Sequence, residues 1–186
     1  MTLRISALIL LAALAACSDP TKTARFALDP APVAQQYPNR LGSAELREVS
    51  LPQYASDQEV PYQTADGAVR SSPDNIWADD PRRAVTLVLA QQISGLSGAR
   101  VIAEPWPLTD LPQRRIEVRV EQFIATPQNT VRLSGSYYVT PLAASGGDVT
   151  RRFDIRVPVA GEGPGAIAAA QGQAVTQLAA RIAQLQ

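Results

Sequence analysis

Histidine is absent from the 186 residues, cysteine occurs once, at Cys17, and lysine once, at Lys22. A single cysteine excludes an intrachain disulfide, and without histidine there is no Cys/His metal site. The body beyond residue 22 has no Schiff-base lysine, no Ser/Lys dyad, no Ser-His-Asp triad and no cysteine nucleophile. A carboxylate-only hydrolase is the enzyme class that composition leaves open. The expectation is therefore no enzyme, no metal and no cofactor. An excess of charge is lacking too: 17 Lys and Arg stand against 17 Asp and Glu. No basic patch stands out, which argues against nucleic acid and against a polybasic hold on anionic lipid. No GxxxxGK[ST] run occurs. The glycine-rich stretch Gly161-Glu162-Gly163-Pro164-Gly165 lacks the lysine and hydroxyl of a phosphate loop and reads as a flexible lead-in to a helix.

What is present begins at the N-terminus. Arg4 supplies a positive start, and Ile5 to Leu14 is an apolar run of signal-peptide length. A membrane-spanning helix needs about 20 apolar residues, so this run is too short for one. It ends in Leu14-Ala15-Ala16-Cys17, small residues before a thiol, and resembles the lipobox of bacterial lipoproteins. An ordinary secretory signal with an incidental cysteine is the alternative. The reading is a signal peptide over residues 1–16, lipid on Cys17, a short tether over 17–22 and one domain over 23–186. Ser18, rather than aspartate, follows the cysteine; by resemblance to lipoprotein sorting in Gram-negative bacteria this favours the periplasmic face of the outer membrane.

In the body, Thr23 to Leu28 is a first short strand candidate, and the proline-rich stretch from Asp29 to Gly42 is a loop. Glu45 to Leu51 is a second strand, ended by Pro52, and Glu59 to Gln63 a short extended piece. Ala65-Asp66-Gly67 signals a turn with Ala68 to Ser71 as its return arm. Asp79-Asp80-Pro81 opens a helix, since aspartate caps and proline suits the first turn. Val85, Val88, Leu89, Ile93 and Leu96 form its stripe, with Gly95 and Gly98 as its stop. Arg115 to Glu121, Thr130 to Val139 and Val149 to Val157 alternate as half-buried antiparallel strands. Pro164 starts a last helix with Ile167, Val175, Leu178, Ile182 and Leu185 on one face. The expected fold class is α+β: a mostly antiparallel sheet with two helices packed on one face.

Aromatic residues are the site candidates. Trp77, just before a helix, and Trp106, between two prolines, suit either edge-of-core packing or an aromatic anchor at an interface. Tyr54 and Tyr62, in the irregular stretch after Leu51, pose the same choice. Tyr137 and Tyr138 are adjacent on a strand, so only one can be core. The partner surface is placed over Leu51 to Trp77, with Tyr54, Tyr62 and Trp77 as its binding residues, because irregular segments on a rigid sheet commonly carry binding.

The order of these features resembles the ABC-type transport auxiliary lipoproteins, of which the PqiC-like lipoproteins are a branch. The likeness runs from the lipobox cysteine through Ala24-Arg25-Phe26-Ala27-Leu28 and Val49-Ser50-Leu51-Pro52-Gln53-Tyr54. It continues through Asn75-Ile76-Trp77-Ala78-Asp79-Asp80-Pro81, Leu89-Ala90 and Pro105-Trp106 to the closing Ala/Leu/Ile helix. One stretch departs: Ala55-Ser56-Asp57-Gln58 replaces the usual leucine, acidic residue and Arg-Pro pair. The resemblance implies a non-catalytic lipoprotein subunit of an intermembrane lipid transport system that supports membrane integrity. Its partners would be a periplasmic MCE-domain protein and, through it, an ABC permease and ATPase. The competing reading is a free-standing outer-membrane lipoprotein, structural or a small carboxylate-dependent hydrolase.

Overall fold

The computed structural model describes residues 22–30, 32–33 and 36–185. The expected signal segment, residues 1–16, and Cys17 lie outside the described residues. In chain order the elements are β1 (Ala24–Phe26), β2 (Ser43–Leu46), α1 (Gln53–Ser56), β3 (Tyr62–Gln63), β4 (Val69–Arg70) and β5 (Asn75–Trp77). They continue as α2 (Pro81–Ser97), β6 (Arg100–Ala103), β7 (Arg114–Thr126), β8 (Thr130–Pro141), β9 (Val149–Pro158) and α3 (Gly163–Gln184). The class is α+β, as expected.

Three long strands form the backbone of the sheet. β7, β8 and β9 pair antiparallel along nearly their whole lengths. Ile116, Val118 and Val120 face the core, with Arg119 and Glu121 outward. The register then shifts between Val120 and Gln122, a bulge in β7. One extra residue inverts the alternation, so Phe123 and Ala125 now point inward. Tyr137 is fully buried and Tyr138 lies outward under Arg119, whose guanidinium carbon is 5.2 Å from the ring centre.

Antiparallel pairing dominates by length, but the sheet is mixed. β2 lies parallel to both β6 and β7, β3 parallel to β7, and β1 parallel to β5 in a separate two-stranded sheet. Parallel neighbours require a crossover connection, and α2 lies in the one that links β2 to β6. The second strand is correspondingly displaced from its expected span of Glu45 to Leu51. Pairing occupies Ser43–Leu46, and Ser50 makes only an isolated bridge to Arg119. β5 and β6 were not foreseen; strands of three or four residues carry too little alternation to be read.

Asp80 caps α2 by accepting the Arg83 N–H at 3.0 Å, and Gly98, with φ 66°, closes it by donating to the Ser94 carbonyl at 2.8 Å. Val85, Leu89, Ile93 and Leu96 are buried, while Leu87 is exposed. Each fully buried aliphatic side chain contributes about 1.5–3 kcal/mol, so this stripe outweighs a cap worth about 1 kcal/mol. Gly95 is not a stop as expected. It sits within the helix, where a Cβ would lie 3.0 Å from Val33 Cγ2. Gly172 in α3 is the matching notch: its Cβ would come within 2.5 Å of the Asp29 carbonyl oxygen. The loop between β1 and β2 thus crosses both helices like a strap. Val175, Leu178 and Ile182 of α3 join the main core cluster, with the inward side chains of the long strands.

Candidate functional site

A hollow of about 610 Å³ among the described residues opens where β7, β8 and β9 meet the start of α3. Its floor comes from Ala125 and Thr126 at the end of β7, and one wall from Tyr62 and Gln63, held beside it by the Tyr62–Ala125 pairing. Asn129, in the left-handed region at φ 55°, turns β7 into β8. Its side-chain amide donates to the Val159 carbonyl at 3.0 Å, and its own carbonyl accepts the Val159 N–H at 2.9 Å. That double link fixes the far wall. Gly161 to Pro164 and Ile167, leading into α3, close the cleft.

Among the lining residues Glu162 is the only carboxylate, and there is no cation. Tyr62, Val159, Pro164 and Ile167 make most of the surface apolar; Asn75, Asn129 and Thr126 add hydrogen-bonding groups. This arrangement suits an uncharged, largely apolar group held by a few amide contacts. One carboxylate without a second does not form the paired carboxylates that glycoside hydrolysis uses. Among the described residues no three His, Cys, Asp or Glu side chains gather as a metal site, and no helix is long and apolar enough to cross a membrane.

The three aromatic candidates occupy different environments. Tyr62 is 38% exposed and borders the cleft. Trp77 is only 5% exposed and packs with Val60, Ala168, Phe26, Leu28 and Ile167. Its indole N–H has no hydrogen-bond partner. Trp77 also lines two smaller hollows, one polar beside Arg25, Asp79 and Asp80, one apolar beside Phe26, Leu87 and Val88. Tyr54 packs on the main core, and its hydroxyl accepts the Phe123 N–H at 3.3 Å. Ile167 connects two of the three, packing on the Trp77 cluster and lining the Tyr62 cleft. Sequence reasoning missed the contribution of Asn129, Glu162 and Ile167, which reach the cleft from elements far along the chain. Trp106 is half-buried beneath Arg100, and its indole N–H donates to the Asp110 carbonyl at 2.6 Å.

The family model described as the ABC-type transport auxiliary lipoprotein component matches residues 26–183. The chain belongs to this family. The matched span runs from the last residue of β1 almost to the end of α3, so it takes in every wall of the cleft. No curated protein matches this auxiliary lipoprotein by sequence. Among solved structures, a crystal structure titled only as an uncharacterized protein superposes with a TM-score of 0.67 at 20% identity, covering 82% of this chain and 98% of its own. Protein XCC0632 from Xanthomonas campestris, of family DUF330, superposes with a TM-score of 0.60 at 18% identity, covering 87% of this chain and 89% of its own. At these identities the likeness establishes the fold shared by the auxiliary lipoprotein and its neighbours.

Proposed function

We propose that this auxiliary lipoprotein is a non-catalytic subunit of an ABC/MCE-type system that moves lipid between membranes and supports membrane integrity. It is anchored by lipid on Cys17 at the periplasmic face of the outer membrane. Its direct partner is a periplasmic MCE-domain protein, and through it an ABC permease and ATPase. The observation that carries the reading is the family match over residues 26–183. Leu14-Ala15-Ala16-Cys17 followed by Ser18 supports the anchor and its membrane. The missing histidine, and a cleft with a single carboxylate, support the non-catalytic role. One contact with the partner lies in the stretch Leu51 to Trp77, where Tyr62 is the exposed one of the three aromatic candidates.

Affinity capture tests the reading. The full lipidated chain, co-expressed with the MCE-domain protein of the same gene cluster, should retain it from detergent-solubilised outer membranes. Failure to retain it, or fractionation of the wild-type chain with the inner membrane, would remove the proposed complex.

A further inference from the structure

We infer that the two hollows walled by Trp77 form one divided site for a zwitterionic phospholipid, with its head in the polar hollow and part of one acyl chain in the apolar one. The inference rests on the proposed lipid transport and adds that this subunit itself holds lipid. The hollows adjoin: Trp77, Ala78 and Asp79 line both. Ala78 is small and exposed, so little side chain stands between them there. The shared wall is fixed from both sides. The Trp77 backbone N–H donates to the Gln58 carbonyl at 2.7 Å, and the Ala78 N–H donates to the Phe26 carbonyl at 2.8 Å. The site is therefore formed before any ligand arrives, as small-molecule sites commonly are.

The polar hollow, about 420 Å³, selects the head. Arg25 lines it, is exposed, and makes no ion pair or side-chain hydrogen bond among the described residues. The Gln58 side-chain amide beside it is likewise unpaired. The Trp77 indole N–H, enclosed in the shared wall, lacks an acceptor too. Open donors of this kind suit a phosphate, whose oxygens accept both the forked guanidinium and single N–H groups. Two carboxylates line the same hollow. Asp79 pairs with Arg83 and accepts the Asp80 N–H at 2.9 Å, while Asp80 accepts the Arg83 N–H at 3.0 Å. They oppose a head that is only anionic and favour one that carries an ammonium beside its phosphate.

The apolar hollow, about 210 Å³, selects the rest of the molecule. Phe26 and Leu28 line it from β1 and the residues after it, Leu87 and Val88 from α2. Leu87 stands off the buried stripe of that helix and is 44% exposed, so its side chain serves the hollow and not the core. A water molecule takes ~30 Å³ in the liquid; the hollow thus has room for a segment of one chain. A phosphate group and an apolar chain joined in one molecule match the two compartments as they lie side by side.

Photo-cross-linking in cells tests the site on the full chain. With p-benzoylphenylalanine replacing Leu87, irradiation should yield phospholipid adducts, identified by mass. Those bearing phosphoethanolamine should exceed their share of the total lipid extract of the same cells. Arg25→Glu should cut the yield at least ~10-fold, as loss of one partner of a close charge pair does. Its thermal midpoint should stay at the wild-type value; if it falls, the milder Arg25→Gln replaces it. The same probe at Leu111, which lines neither hollow, should give no adduct that depends on Arg25. Adducts at Leu87 only to protein, no adduct, head groups in the proportions of the extract, or a yield indifferent to Arg25 would each overturn the site. Capture of the MCE-domain protein by the wild-type chain is read in parallel. Capture alongside any of those failures overturns the site alone, whereas Arg25-dependent phosphoethanolamine adducts without capture support the site and overturn the proposed complex.

Discussion

Gly135 sits in the middle of β8, paired with Val120 on one side and Phe153 on the other, one step from the bulge in β7. A Cβ there would lie 2.1 Å from the Arg119 carbonyl oxygen and 3.0 Å from both Val120 Cα and Phe153 Cζ. Carbon contacts are comfortable at about 3.5–4.0 Å, so β7 would have to move by more than ~1 Å. The nearest obstacle is backbone and cannot rotate away. Overpacking costs about 1–3 kcal/mol, and one or two weakened ladder hydrogen bonds add about 1 kcal/mol each. Gly135→Ala should thus destabilise by about 2–5 kcal/mol, a large part of a domain's usual 5–15 kcal/mol. For a chain of this size that lowers the midpoint by about 4–20 °C. The assay is thermal unfolding by circular dichroism, paired with urea denaturation to confirm an unchanged slope. Gly147→Ala is the control: nothing lies within 4 Å of its Cβ, and the change should stay within about 0.5 kcal/mol. A Gly135→Ala midpoint equal to that of the control would refute the close-approach reasoning.

Replacing Cys17 with serine should move the protein from the outer membrane to an unprocessed or soluble periplasmic form; full retention in that membrane fraction would end the anchor reading. Trypsin should cleave slowly at Arg25, which β1 holds in register with Ile76 of β5, and rapid release of a domain starting near Ser43 would contradict the short tether. Burial pushes the Tyr137 hydroxyl from 10.0 up to about 12, with Arg151 and Arg181 opposing it. The folded chain then favours the protonated form, so stability is full below pH 10 and falls as pH rises from 10 toward 12; a Tyr137→Phe chain should lack that alkaline loss in urea melts. Tyr62→Ala should weaken partner capture with native circular dichroism, whereas Trp77→Ala, emptying a buried site, should cost about 3–5 kcal/mol in folding and blur any binding readout. Unchanged capture by the Tyr62→Ala chain would move that contact elsewhere.

Sequence by itself determined the features whose causes are local. Asp80-Pro81 announces a helix start because a cap and a fixed φ act on neighbouring atoms. The three long strands announce themselves because alternation persists over seven or more residues. The Ala65-Asp66-Gly67 turn is legible for the same reason. Only the tertiary structure decided what depends on distant segments. The parity switch after Val120 arises from pairing with β8, and nothing in residues 120–123 signals it. Gly95 and Gly98 look alike on the page; one admits the Val33 strap, and the other reverses the chain. Trp77 became a buried wall and Tyr62 an exposed rim, although both are aromatic residues in one irregular stretch. Their difference comes from α3, more than 80 positions further on, which packs Ile167 and Ala168 against one of them. Burial is a property of assembled surfaces, and no local pattern carries it across such a separation.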